Sequence, residues 1–173
     1  MQPQIPIDVD AATGVWSTDG LPMLYVPRHF FVNNHTAIEA ALGAERYAPI
    51  LYDAGYRSAH FWCASESATH GLEGLAVFEH YLQRLSLRGW GRFAFENRDA
   101  GSGVARIRLD HSAFVLARPG APGRLCYMFA GWFAGAMDWV LEQAGSPLRT
   151  HSHESQCAAE GHAHCVFSVR PRD

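Results

Sequence analysis

The sequence predicts an α+β domain in which N-terminal helices pack on a mostly antiparallel sheet that ends in a C-terminal hairpin. Three observations predict it: apolar side chains recur at helical spacing up to Leu87, the repeat shortens to two after Gly89, and metal-binding side chains crowd the last thirty residues. A chain of 173 residues can bury roughly 70% of its unfolded surface, enough for one core.

Residues 1–22 are polar and carry Pro3, Pro6, Gly14, Gly20 and Pro22, which reads as an extended arm. A short strand is expected over residues 23–26. Asn33 and Asn34 offer a cap for a helix running to Leu42, with Gly43 as its end. A second helix is expected over residues 45–65, where Tyr47, Ile50, Leu51, Ala54, Ser58, Phe61 and Trp62 fall near helical spacing. A third, over 72–87, carries Leu75, Phe78, Leu82 and Leu85 on one stripe. Alternation over 90–97, 104–109 and 112–117 then predicts three strands in an antiparallel meander. An aromatic-rich helix is expected over 125–143, with Gly131 and Gly135 four apart where another element can approach closely. Strands over 148–156 and 165–169, joined by AAEGHAH, complete the pattern.

Composition narrows the function. Hydrophobic residues make up 48%, charged residues 18%, and the formal net charge is -3, values of an ordinary globular protein. Every basic side chain outside histidine is Arg, scattered from Arg28 to Arg172 without the dense stripe that phosphate binding needs, so direct binding of nucleic acid is not expected. The N-terminus lacks a basic region followed by an apolar run, and the longest nearly uncharged stretch, 125–140, is too short to span a bilayer. A cytoplasmic protein without membrane contact is therefore expected. In that compartment four cysteines point to a metal, to burial or to reactivity more than to disulfides.

His151, His153, Glu154, Cys157, His162, His164 and Cys165 lie within fifteen positions. Zinc takes thiolate, imidazole or carboxylate, and a hairpin can bring both ends to one ion. Cys157 and Cys165 flank a glycine-containing turn that suits this. The spacing is not that of a common zinc finger. The competing reading is that Cys126 and Cys157 are small core residues and the histidines solvated surface groups. Cys63 has no sequence neighbour able to share a metal and reads as core.

The segment ESQCAAEGHAHCVFSV, preceded by CYMFAGWFAG, resembles the C-terminal signature of the 4-vinyl reductase domain family, found in predicted hydrocarbon-binding proteins and in sensor domains of phenol- and xylene-responsive activators. The resemblance runs from Gly43 to the C-terminus. It implies a ligand-binding domain over 43–173 preceded by an extension over 1–42 packed on the body. It further implies one structural zinc held by Cys126, with Gly131 and Gly135 at the family's positions after it, and by Glu154, Cys157 and Cys165. A few extra residues between Gly135 and Glu154 depart from the family and make His153 the rival of Glu154. Three thiolates and a carboxylate would fill a tetrahedron and leave no place for substrate.

The resemblance also implies a small-molecule pocket, with His70 at the start of the third helix and Phe95 on the following strand as contacts. Phe93, Phe114 and Trp132, with Trp90, are candidate walls; the competing reading makes these aromatics plain core and His70 a helix cap. The expected function is binding or sensing of a small apolar or aromatic molecule by a homodimeric sensor, carrier or regulatory subunit. No catalytic residue is assigned. An enzyme is the less favoured alternative, because there is no GxGxxG after a strand, no HExxH and no flavin or iron–sulfur pattern. An architectural assembly subunit is the third.

Overall fold

The computed structural model describes residues 5–172; residues 1–4, including Pro3 of the expected arm, and Asp173 lie outside the described residues. The arm is folded, not merely extended. Strands β1 (Asp8–Val9), β2 (Trp16–Thr18) and β3 (Leu21–Met23) form a small antiparallel sheet in that order. Asp19 and Gly20, both at positive φ (53° and 77°), make the two-residue turn between β2 and β3, the geometry that matches strand twist and that an Asp-Gly pair adopts readily. The expected strand over 23–26 is displaced: β3 ends at Met23, leaving Leu24 and Tyr25 exposed.

Helix α1 (Arg28–Leu42) begins well before Asn33, because Pro27 supplies the extended entry residue. The Asn34 amide donates to the Phe30 carbonyl inside the helix and caps nothing. Gly43, at φ 79°, separates α1 from α2 (Ala44–His70), which runs five residues beyond its expected end. Left-handed Gly71 closes it, donating its N–H to the Ser67 carbonyl. Helix α3 (Leu75–Leu87) buries Val77, Phe78, Tyr81, Leu82 and Leu85 on one face.

The second sheet contains β4 (Arg92–Asp99), β5 (Val104–Asp110), β6 (Thr150–Gln156) and β7 (Cys165–Pro171) in the order β4-β5-β7-β6, antiparallel throughout. The expected third strand of the meander does not exist. Residues Ala113–Ala117 form a short helix, α4, whose N-cap Ser112 accepts a hydrogen bond from the Phe114 N–H, and β7 takes the place beside β5. Helix α5 (Phe129–Gln143) lies between this sheet and α2: Phe133 meets Phe167 of β7 at 4.9 Å between ring centres, while Gly131 and Gly135 lie directly against α2. All but Trp132 of the side chains from Phe129 to Leu141 are buried. Among the described residues no helix is long and apolar enough to cross a membrane.

One polar knot ties these layers. Fully buried Asp138 on α5 accepts from the Thr150 N–H (2.7 Å) and hydroxyl (2.6 Å) on β6 and from the Tyr56 hydroxyl (2.8 Å) on α2. Removing it orphans the buried Thr150 N–H and takes the better acceptor from the Thr150 and Tyr56 hydroxyls, an unpartnered buried donor costing about 1–3 kcal/mol. Asp138→Ala is expected to lower unfolding free energy by about 3 kcal/mol or more, read as a reduced urea midpoint; an unchanged midpoint would refute the role given to this knot.

Candidate metal centre and aromatic interior

Four residues from four parts of the fold meet beneath the C-terminal hairpin. Cys126 lies in the turn ahead of α5, not within the helix as expected, because α5 begins at Phe129. Glu154 is on β6, Cys157 is the entry residue of a single 3-10 turn over Ala158–Glu160, and Cys165 opens β7. All four are buried, and one ligand atom from each lies within 4.8 Å of the others. The sulfurs of Cys126 and Cys165 are 3.5 Å apart and those of Cys165 and Cys157 3.8 Å, with all three thiols free.

Strand alternation decides between Glu154 and its rival. Ser152 and Glu154 face inward, whereas His151 and His153 are exposed and stack towards each other outside. The backbone N–H of Cys126 donates to Glu154 Oε2 at 3.0 Å, yet Glu154 Oε1 is buried without a partner. Backbone N–H groups of Leu125 and Ala158 point at the sulfurs of Cys157 and Cys165 at 3.5 and 3.3 Å, as thiolates require. Burial, followed by the hydrogen bond with Cys157, pushes the Glu154 carboxyl up to about 9. The Cys157 thiol is held well below its usual value by hydrogen bonds from Cys126 and Cys165. Cys126 is driven far up by its hydrogen bonds to Cys157 and Cys165 and by burial. Four acids thus share one buried space that carries little negative charge without a cation, and the donor set, the orphaned oxygen and the spacing fit a metal ion.

The sequence-derived pocket residues divide into groups. Phe93, Phe114 and Trp132 surround Phe129, with ring centres 5.3, 5.5 and 5.1 Å from it, and Trp90 closes on Trp132 at 5.4 Å. Phe95 packs on Phe78 at 5.0 Å beneath the Arg98 guanidinium. Together with Leu82 and Ser86, Phe93 and Phe95 line an open hollow of about 330 Å³ between α3 and β4. His70 ends α2 instead of starting α3, and meets Glu66, His80 and Asp19. Sequence reasoning missed Glu66 and His80. The available signal was helical spacing, since Glu66 and His70 stand four apart, as do His80 and Arg84. Cys63 is wholly buried, as expected of a core residue.

Helices packed on a four-stranded antiparallel sheet are the fold this chain shares with a vinyl-4-reductase family protein and a phenol-sensing domain. The phenol-responsive sensory domain of the transcription activator PoxR, solved with phenol, shares this fold at a TM-score of 0.78 and 14% identity, over 95% of this chain and 84% of that one. A vinyl-4-reductase family protein from Methanocaldococcus jannaschii matches at 0.56 and 16% identity, over 87% and 85%. A trafficking protein particle complex subunit 3 from Naegleria fowleri, covalently bound to palmitic acid, matches at 0.59 and 14%, over 84% and 95%. No curated protein matches the chain. Within this fold the chain belongs to the family described as Domain of unknown function (DUF5943), whose pattern matches residues 1–96.

Proposed function

We propose that the chain is a zinc-stabilised domain that binds a small apolar or aromatic molecule and acts as a homodimeric cytoplasmic sensor, carrier or regulatory subunit. The likeness to a phenol-responsive sensory domain over 95% of the chain carries this reading. Zinc is the ion this donor set favours, because three thiolates with a carboxylate suit a tetrahedral d¹⁰ cation, and a filled tetrahedron serves structure, not Lewis-acid chemistry.

In this reading the ligand lies among Phe93, Phe95, Phe114 and Trp132, with His70 as a polar contact. Residues 1–42 form an extension packed on a ligand-binding body over 43–173. The contacts of that extension support its role as a cover: Phe31 packs on Trp90 and Phe114 at 5.1 and 6.1 Å, and the Tyr127 hydroxyl donates to Glu39.

Phenol, a methylated phenol and benzene, each added to the purified chain, test the reading. A ligand at one hundred times its dissociation constant stabilises by about 2.7 kcal/mol, which appears as a raised melting temperature. Trp132→Ala should abolish the shift while the variant remains folded. No shift with any of the three, together with no organic compound retained on native mass spectrometry, would refute aromatic-ligand binding.

A further inference from the structure

We propose that Glu66, His70 and His80 form a second metal site, of an open His2Glu type, for a divalent first-row transition ion. It lies outside the cysteine cluster, at the α2–α3 corner, and does not rest on the aromatic-ligand reading, with which it competes for His70. Glu66 and His70 share one face of the end of α2; Gly71 and Gly74, both at positive φ, turn the chain so that His80 on α3 faces them.

The two imidazoles aim the same nitrogen at one carboxylate oxygen. His80 Nε2 is 2.8 Å and His70 Nε2 3.3 Å from Glu66 Oε2, and all three ligand atoms lie within 4.8 Å of one another. Ligand bonds of about 2.0–2.2 Å around a tetrahedral ion set neighbouring donor atoms about 3.3 Å apart, so these side chains need only small adjustments to enclose one. Asp19 Oδ1, 3.6 Å from His70 Nε2, is a further oxygen within reach.

Hydrogen bonding alone explains the cluster poorly. Glu66 is wholly buried, yet its Oε1 has no partner, while both imidazoles and, at 4.0 Å, the Arg84 Nε crowd Oε2. A carboxylate satisfied by donors would spread them over both oxygens. Arg84 is held mainly by Asp19, at 2.8 Å, and its 3.3 Å contact from Nε to His80 Nε2 is the one an ion would displace. Arg84 pairs with Asp19, and the buried Arg88 guanidinium lies near enough to act on Glu66 and Asp19, so a divalent ion held by neutral imidazoles adds its charge to two acids and two guanidiniums that already balance.

His70 is 32% exposed, against 17% for His80 and 8% for Asp19, so the site is reachable from solvent past His70. Two imidazoles and one carboxylate leave a fourth position for water or an oxygen-donor ligand, unlike the closed sulfur site. The two sites therefore differ in ligand chemistry and are separable in one spectrum.

Cobalt(II) added to the intact purified chain, with whatever ion the cysteines hold left in place, provides the test. The expected result is one equivalent taken up with ligand-field bands and no sulfur-to-cobalt charge transfer, and loss of that equivalent in both His80→Ala and His70→Ala. Circular dichroism on each variant checks folding, and the partly exposed His70 keeps the test valid should His80→Ala fail to fold. Absence of sulfur-free cobalt bands in the wild type, or their survival in a folded His70→Ala, would overturn the proposal.

Discussion

Cys157→Ser is expected to purify without zinc and with its C-terminal hairpin unfolded, while the wild type carries one zinc per chain. Cys157 carries the thiol most readily ionised: its sulfur receives the Leu125 N–H and lies 3.8 Å from Cys165. A serine oxygen is a poor substitute for a thiolate. Structural zinc contributes about 10–16 kcal/mol of apparent binding free energy at neutral pH, comparable with the about 5–15 kcal/mol that stabilises a whole domain. The loss should spread beyond the hairpin, because β7 pairs with β5 and Cys126 fixes the entry to α5. Elemental mass spectrometry gives the metal content, and hydrogen exchange over 150–171 gives the local order. A chelator acting on the wild type should reproduce the variant's melting curve. Metal-free, equally stable wild type and variant would refute the zinc assignment.

Gly135→Ala is expected to destabilise by about 3 kcal/mol, the upper end of ordinary overpacking, and Gly131→Ala by a similar amount. A Cβ at Gly135 would overlap the Tyr56 carbonyl, and one at Gly131 the Tyr52 carbonyl. These neighbours are backbone of α2, so neither contact can be relieved by rotating a side chain. The sign makes the result diagnostic, since alanine in place of glycine inside an unobstructed helix would stabilise by about 1 kcal/mol. Urea midpoints decide, and a raised midpoint in either variant would mean that α2 and α5 do not meet backbone to backbone.

Local spacing made the four long helices and the two-residue periodicity of β4 and β5 legible, and the resemblance to a family signature brought Cys126, Glu154, Cys157 and Cys165 together. The pair Gly131 and Gly135 was legible as a place of close approach, although not which element would come there. What failed was non-local or turned on one residue. Ser112 to Ala117 alternates well enough for a strand, but a serine cap starts a short helix there, and the position beside β5 goes to β7, nearly sixty residues on. The Asp19-Gly20 hairpin signal stood in plain view within a polar segment that otherwise reads as arm. Glu66 and His80 stayed hidden because their meeting depends on the angle of the α2–α3 corner, which spacing along one helix does not encode. His153 and Glu154 are separated only once the face of β6 is known.

Helix α2 works as a strut. Its Tyr52 hydroxyl receives the N–H of Ser152, two residues from Glu154, while Glu66 and His70 stand at the opposite end. The eighteen steps from Tyr52 to His70 span about 27 Å of helix. With no side chain between it and α5 where Gly131 meets Tyr52 and Gly135 meets Tyr56, the strut is clamped at its hairpin end. A tilt at the His70 end would therefore pivot about the Tyr52–Tyr56 clamp and leave Tyr52, with the Ser152 N–H it receives, nearly in place. Spin labels at Ala68, beyond the clamp, and at Gln143 on α5, both exposed, would register such a tilt as a change in separation.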